Sequence, residues 1–153
     1  MEVKTVFFFI LGFFIFDFIF DLFFDVLNFQ HRKKPLPDRI KSLFNIETTQ
    51  KQLDYQLDNF KFGFFTGVLS GIAMVTILVC GLFPYLDNFL RGYLSNDYLL
   101  TLLFFGIIFL VSFVFSIPFD WYQTFVIEEK YGFNKTNTKT FILDKIKTLL
   151  MSV

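Results

Sequence analysis

Histidine and cysteine are nearly missing from this chain, which has one of each, His31 and Cys80, among 153 residues. A single cysteine excludes an internal disulfide and a zinc site built from cysteines. A single histidine excludes the HExxH motif, which places two zinc-binding histidines four residues apart. We therefore interpret His31 as a solvated loop residue and Cys80 as a small packing residue inside an apolar segment.

The chain also has no net charge, because 14 basic residues balance 14 acidic ones. Bulk electrostatics therefore indicate no nucleic-acid partner. Apolar residues, in contrast, are abundant: they make up 54% of the chain and include 27 phenylalanines. A soluble domain of this length does not need so many, and unbroken apolar runs of about 20 residues are typical of membrane helices.

Three apolar runs predict three complete membrane spans, at about 6–27, 64–83 and 99–119. Helices are the expected form, because backbone groups in lipid must pair within their own segment. The first run begins like a signal peptide, but it is too long and has no small-residue cleavage site, so we expect a retained helix. The runs do not alternate, which argues against membrane strands. The predicted fold class is all-α, a single polytopic membrane domain over 1–153.

A polar segment, 28–61, separates the first two spans. Pro35 and Pro37 break any helix near its start. Beyond them, apolar residues recur at helical spacing: Ile40, Leu43, Phe44, Leu53, Leu57 and Phe60. We expect an amphipathic helical loop, interrupted near Asn45, that lies on the membrane surface or against another domain.

A further helix is predicted after the third span. Residues 134–140 are rich in asparagine and threonine, which are good N-caps. The stretch 140–153 is too short to cross a bilayer. We expect it to be a truncated fourth helix.

The positions of lysine and arginine predict the topology. Segment 28–61 carries seven of them, whereas the loop 84–98 carries only Arg91. The segment after the third span carries Lys130, Lys135 and Lys139. Since positive charge marks the cytoplasmic side, 28–61 and 120–140 are predicted to be cytoplasmic.

Three aspartates, Asp17, Asp21 and Asp25, recur every fourth residue in the first span. At 100° per residue they occupy an arc of roughly 80° on one helix face. A charged face is costly in lipid, so it should face other helices or water. We interpret it as a polar seam. A proton or cation pathway is a second interpretation, and direct catalysis a weaker third.

Glycines recur at the same interval where the second span begins, at Gly63, Gly67 and Gly71. Small residues every fourth position allow helix backbones to approach closely. A helix-packing role is predicted, with a partner inside this chain or in a second copy.

Residues 116–135, SIPFDWYQTFVIEEKYGFNK, form the signature segment, in which an apolar run ends and polar residues follow. It resembles the segment after the third membrane helix of CAAX prenyl proteases, membrane-embedded zinc metallopeptidases of family M48. The signature-loop residues are Pro118, Phe125, Glu128, Glu129, Lys130, Gly132, Phe133 and Asn134. The basic loop, Leu36-Pro37, the region of Tyr55, and segments 86–96 and 141–147 follow the family's order.

The resemblance implies several properties of a larger parent protein. Such proteins are integral membrane endopeptidases with catalytic zinc, and their helices enclose a water-filled chamber. Their substrates are peptides or prenylated peptides, and they lie in the endoplasmic reticulum membrane or the bacterial inner membrane. Glu128, Glu129 and Asn134 would anchor the loop that enters the next helix. No position here matches HExxH, so zinc is expected in the full-length parent and no metal or cofactor site in this chain.

We therefore predict the membrane-anchoring, chamber-forming N-terminal domain of a CAAX-prenyl-protease-like metalloendopeptidase. Its expected partners are the lipid bilayer and the missing catalytic part, and the chain alone is not expected to hydrolyse peptides. The alternative is a non-enzymatic membrane scaffold or ion-path protein that uses the aspartate and glycine faces.

Overall fold

The computed structural model describes residues 3–32 and 46–152, and these residues are almost entirely helical. The elements in chain order are α1 (Val3–Arg32), α2 (Ile46–Val79), α3 (Leu82–Arg91), α4 (Asp97–Tyr122), a π-helix (Gln123–Glu128) and α5 (Thr138–Ser152). The all-α prediction is confirmed for this part of the chain. The π-helix continues α4 directly.

Three of the described helices are long and apolar enough to cross a membrane, which confirms the predicted number of complete spans. The qualifying stretches are Lys4–Gln30, Gln50–Val79 and Asp97–Glu128. Each is longer than the span predicted from the apolar run alone. The additional residues are polar or mixed in character, so hydropathy alone does not mark them as helical.

The second span differs from its prediction at both ends. Helix α2 begins at Ile46 and joins the end of the predicted loop to the membrane span without interruption. No proline lies between Ile46 and Val79, so nothing in the backbone forces a break there. The earlier part of the predicted amphipathic segment, 33–45, lies outside the described residues.

Helix α2 ends at Val79 because Gly81 adopts a left-handed conformation, with φ of 65°. Glycine enters this region without the steric cost that a side chain would add. A loop was predicted at 84–98, but the ten-residue helix α3 (Leu82–Arg91) covers its first half. Asn96 then caps α4 by accepting a hydrogen bond from the Tyr98 amide at 2.9 Å.

Helices α1 and α2 pack antiparallel. The rings of Phe29 and Phe60 stack with their centroids 4.3 Å apart. Farther along, the ring of Phe18 lies directly against Gly71. The two contacts lie eleven residues apart on each helix but run in opposite directions along the chain. This fixes the register of the pair.

The other side of α2 carries the α4–π-helix pair, again antiparallel. Phe62 stacks on Tyr122 at 5.1 Å, and Gln123 donates a hydrogen bond to Asn59. Helix α5 returns along the same region, where Phe141 meets Phe125 edge to face at 5.6 Å. Helix α2 is therefore the central element of the described fold.

Few side chains are buried within this arrangement. Among the described residues the buried hydrophobic side chains are Leu90, Leu100, Ile127, Tyr131 and Phe141. Phenylalanines on α1 and α4 are in contrast largely exposed, for example Phe9 at 71% and Phe115 at 69%. Such continuous apolar surfaces are suited to lipid or to further membrane helices.

Candidate functional site at the signature segment

The signature segment is helical over most of its length, which corrects the prediction of a loop. Pro118 lies inside α4, Phe125 and Glu128 lie in the π-helix, and the helical backbone continues through Lys130. A proline is tolerated inside a membrane helix because neighbouring groups can satisfy the carbonyl that it frees. The loop proper is confined to residues 131–137.

Gly132 ends this helix. Its φ is 71°, its amide donates to the Glu129 carbonyl at 3.0 Å, and the Phe133 amide donates to the Glu128 carbonyl at 2.9 Å. This pair of bonds is the Schellman motif, in which the residue after the helix is left-handed. Gly132 is therefore favoured at this position because the backbone there is left-handed.

Two asparagines order the loop that follows. The Asn134 side chain donates to Glu129 Oε2 at 2.8 Å, and its oxygen accepts from the Thr136 amide at 2.6 Å. Asn137 then accepts from the Thr140 amide at 2.8 Å, which caps α5. The path from the π-helix into α5 is thus held by Glu129 and Asn134 of the signature segment and by Asn137 just after it.

Asp58, on α2, is the main contact point between that helix and the signature segment. Its Oδ2 accepts a hydrogen bond from Lys130 Nζ at 2.6 Å and another from the Tyr131 hydroxyl at 2.7 Å. Lys61 Nζ lies 3.8 Å from the other carboxylate oxygen. The Asp58 side chain is 27% exposed, whereas Tyr131 is buried.

Asp58 changes the acid–base properties of both partners. Its hydrogen bond to the ammonium group raises the pKa of Lys130 above the ordinary lysine value. Its hydrogen bond to the phenol, together with burial, raises the pKa of Tyr131. Both groups therefore hold their protons more firmly in the fold, so the contact is intact throughout the neutral range.

Aromatic rings reinforce this polar contact. Tyr55 meets Tyr131 at 5.5 Å and Phe133 at 4.7 Å, both edge to face. Lys51 lies over the Phe133 ring, 5.9 Å from its centroid. A second link joins α5 to α4, where Lys145 Nζ donates to Asp120 Oδ2.

Asp58 and Asn59 were not predicted as partners of the signature segment. Both lie on α2 near Tyr55 and Phe62, at the three- and four-residue spacings that form one helix face. That spacing, an acidic residue between aromatics, is a signal available in the sequence. The spacing does not show that Asp58 pairs with Lys130 and Tyr131, because these partners lie about 70 positions away in the sequence.

A groove of about 610 Å³ lies between α2 and the α4–π-helix pair. We name it the α2–α4 groove. Its lining is Asp58, Lys61, Phe62, Phe65, Pro118, Phe119, Tyr122, Val126, Ile127 and Lys130. The ionisable residues lie at one end of the groove and the apolar residues form its length. The volume lies within the range typical of small-molecule sites, about 300–1,000 Å³.

The aspartates of the polar seam lie elsewhere, on α1. Asp17, Asp21 and Asp25 are all exposed. None of them forms a hydrogen bond or ion pair with another residue that the structure describes. The seam and the signature segment are therefore separate features.

The three glycines differ in their surroundings. A Cβ at Gly71 would overlap the ring of Phe18, so any larger residue at this position would force the ring to move. A Cβ at Gly63 or Gly67 would meet nothing within 4 Å. The packing role predicted for Gly63 and Gly67 stays a prediction.

The described residues do not fit a zinc site. They bring together no group of three histidine, cysteine, aspartate or glutamate side chains that could hold a metal ion. The side chain of His31 lies outside the described residues. Cys80 is exposed at the end of α2, within the described part of the chain.

Residues 25–153 match the family described as "CAAX prenyl protease N-terminal, five membrane helices". The CAAX prenyl protease 1 homolog of Caenorhabditis elegans is 33% identical over 116 residues, which are 75% of this chain and 25% of that protein. The Homo sapiens homolog is 34% identical over 124 residues, 76% of this chain and 26% of that protein. This chain thus matches about a quarter of the length of these relatives.

The fold is also similar to a solved structure. The crystal structure of S. mikatae Ste24p aligns with 99% of this chain and 36% of that chain, with a TM-score of 0.83 and 25% sequence identity. The sequence match and the structural match therefore agree on the same protein family. The chain is an integral membrane domain, and it belongs to the CAAX prenyl protease N-terminal family.

Proposed function

We propose that this chain anchors a zinc metalloendopeptidase in the membrane and forms part of the wall of its chamber. The observation that carries the proposal is the alignment of almost the whole chain with about a third of Ste24p. The substrate class implied by the names of the relatives is a prenylated CAAX peptide. Catalytic zinc would be held by the remainder of the parent protein, because the residues described here do not fit a zinc site.

The polar seam supports a role in the chamber wall. Its aspartates are exposed and have no described partner, and a charged face should not contact lipid. We infer that Asp17, Asp21 and Asp25 face water or further helices of the parent protein.

The signature segment supports a role in positioning the catalytic part. Glu129 and Asn134 hold the loop before α5, and Lys130 fixes this loop to α2 through Asp58. We infer that Glu128, Glu129 and Asn134 anchor the path toward the catalytic domain. Pro118, Phe125 and Phe133 supply the apolar part of this support.

For the topology, we propose that 28–61 and 120–140 face the cytoplasm, and that the membrane is the endoplasmic reticulum or a bacterial inner membrane. Lysine and arginine are concentrated in these segments, which supports this orientation. The turn at Gly81 and helix α3 would then lie on the opposite side.

Metal analysis and a peptide-cleavage assay on the purified chain test the enzymatic part of the proposal. We expect neither bound zinc nor turnover from the chain alone. Cleavage of a prenylated peptide is expected when the chain is co-expressed with the remaining part of a relative. Stoichiometric zinc with turnover by the isolated chain would overturn the division of roles.

Labelling of the single cysteine tests the topology. Cys80 is exposed near the predicted non-cytoplasmic end of α2. A membrane-impermeant maleimide should modify Cys80 when it is added to the outside of spheroplasts, or when it is given access to the lumenal side of endoplasmic reticulum vesicles. In a Cys80→Ser background, Lys135→Cys should be modified only from the cytoplasmic side. The reverse pattern would contradict the orientation.

A scaffold or ion-path function is the alternative, and the unpartnered seam together with the open space at Gly63 and Gly67 favours it. It predicts oligomers that resist detergent and an ion flux that Asp17→Asn abolishes. A monomer without flux in proteoliposomes would count against it.

A further inference from the structure

We propose that the α2–α4 groove binds one anionic phospholipid, with the phosphate at Lys61 and Lys130 and an acyl chain along Phe65 and Pro118. This function goes beyond anchoring and does not depend on peptidase activity. The groove is polar at one end and apolar along its length, its polar end carries an excess positive charge, and the side chain of Lys61 there is largely exposed.

The two walls of the groove change from polar to apolar in the same direction. On α2, Asp58 and Lys61 precede Phe62 and Phe65. Along the other wall, from Lys130 through Ile127 and Tyr122 to Pro118, the lining again becomes apolar. Because the two elements are antiparallel, both polar ends lie at one end of the groove. This matches a phospholipid, which has one charged end and a long apolar remainder.

The charge at the polar end selects an anionic headgroup. Two lysines and one aspartate leave one excess positive charge there. Both ammonium groups lie within 4 Å of the Asp58 carboxylate, so they can approach a single phosphate together. Basic pockets between membrane helices bind anionic lipid headgroups in this manner.

Lys61 is the residue best placed to bind the phosphate. Its side chain is 70% exposed, and its contact with Asp58 is 3.8 Å. Lys130 is already held at 2.6 Å by the same carboxylate, which it partly neutralises. Lys61 can therefore turn toward a headgroup without breaking the contact between α2 and the signature segment.

Native mass spectrometry of the delipidated full chain in an uncharged detergent tests this inference. We expect one phosphatidylglycerol to bind per monomer, in preference to phosphatidylcholine with the same acyl chains. Inorganic phosphate at equal concentration should neither bind measurably nor displace the lipid. Equal binding of both lipids, or displacement by phosphate, would overturn the proposal.

Substitutions locate the binding. Lys61→Gln should weaken phosphatidylglycerol binding about fivefold, since a lysine near an anionic surface contributes about 1 kcal/mol. Lys147→Gln is the matched control, because Lys147 is also 70% exposed and lies 3.8 Å from an acidic residue one turn away. We expect the control to bind as the unmodified chain does. An equal loss in both variants would mean unspecific attraction and would contradict the site.

A second pair of variants tests the apolar part without changing charge. Val126→Trp should fill the groove and abolish the bound lipid, whereas Val114→Trp, at an exposed position of α4 outside the groove lining, should leave it. Retained binding in Val126→Trp would overturn the proposal. A dimer in place of a lipid-bound monomer would assign the groove to a second copy of the chain and would also overturn it.

Discussion

The charged side chains of helix α1 differ from those at the junction between α2 and the signature segment in whether they have partners. On α1, three aspartates are exposed and have no partner that the structure describes. At the junction, Asp58 accepts two hydrogen bonds and Lys130 donates one of them. The aspartates of α1 have no protein partner among the described residues, whereas the carboxylate of Asp58 is paired within the chain.

This difference indicates which part of the domain is structurally independent. The junction combines hydrogen bonds, aromatic contacts and the buried Tyr131, so it should keep its structure in isolation. Helix α1 contacts α2 through the rings of Phe29 and Phe18, and its three aspartates add no bond to this attachment among the described residues. The following substitutions test this contrast, using the free energy of unfolding in a detergent–SDS titration.

The largest effect is expected for Asp58→Ala. Removing the carboxylate leaves the Tyr131 hydroxyl and the Lys130 ammonium group without their shared acceptor, which should lower the free energy of unfolding by about 2–3 kcal/mol. Asp144→Ala is the control, because Asp144 is exposed and lies 3.8 Å from Lys147. The control should change stability by less than about 0.5 kcal/mol. Equal effects would mean that the junction is not the stable part of the domain.

Gly71→Ala should weaken the attachment of α1. Its Cβ would overlap the ring of Phe18, and overpacking of this kind costs about 2 kcal/mol. Gly67→Ala, one turn earlier and with open space, should be neutral or slightly stabilising. Equal effects of Gly71→Ala and Gly67→Ala on the free energy of unfolding would contradict the contact between Gly71 and Phe18.

Gly132→Ala should cost about 1 kcal/mol, because alanine is strained in the left-handed conformation that ends this helix. Gly106→Ala, inside α4 with open space at its Cβ, is the control and should not destabilise. Hydrogen exchange at the Phe133 amide should also increase in Gly132→Ala. Unchanged exchange and stability would contradict the Schellman geometry.

The smallest effect is a dependence on alkaline pH. Since the pKa of Lys130 and that of Tyr131 are both raised in the fold, their protonated forms are the ones that folding stabilises. This stabilisation is complete below their ordinary values, about 10.4 and 10, and is lost as the pH rises through the folded values. The stability difference between the unmodified chain and Asp58→Ala should therefore shrink above about pH 10. A stability difference that does not change with pH would contradict this coupling between protonation and folding.

The sequence predicted the helical class and the number of complete spans because unbroken apolar runs are a local property. It predicted helix after an interruption near Asn45, where α2 begins at Ile46, but it did not predict that this helix continues into the second span. The change from polar to apolar residues near Phe64 was interpreted as the end of a loop, whereas the backbone is helical on both sides of it. Helix α3 was also not predicted, because Pro84 and the polar residues after it resemble a loop. The signature segment was located by resemblance, but its π-helix and its pairing with Asp58 depend on contacts between distant residues.

The continuity of α2 has a mechanical consequence. At 1.5 Å per residue, a helix from Ile46 to Val79 is about 50 Å long, whereas the hydrocarbon core is about 30 Å thick. The helix therefore extends beyond the hydrocarbon core. Asp58 lies about 9 Å along the helix axis from Phe64, where the apolar run begins. Because Asp58 binds Lys130 and Tyr131, α2 sets the distance between the signature segment and the hydrocarbon core.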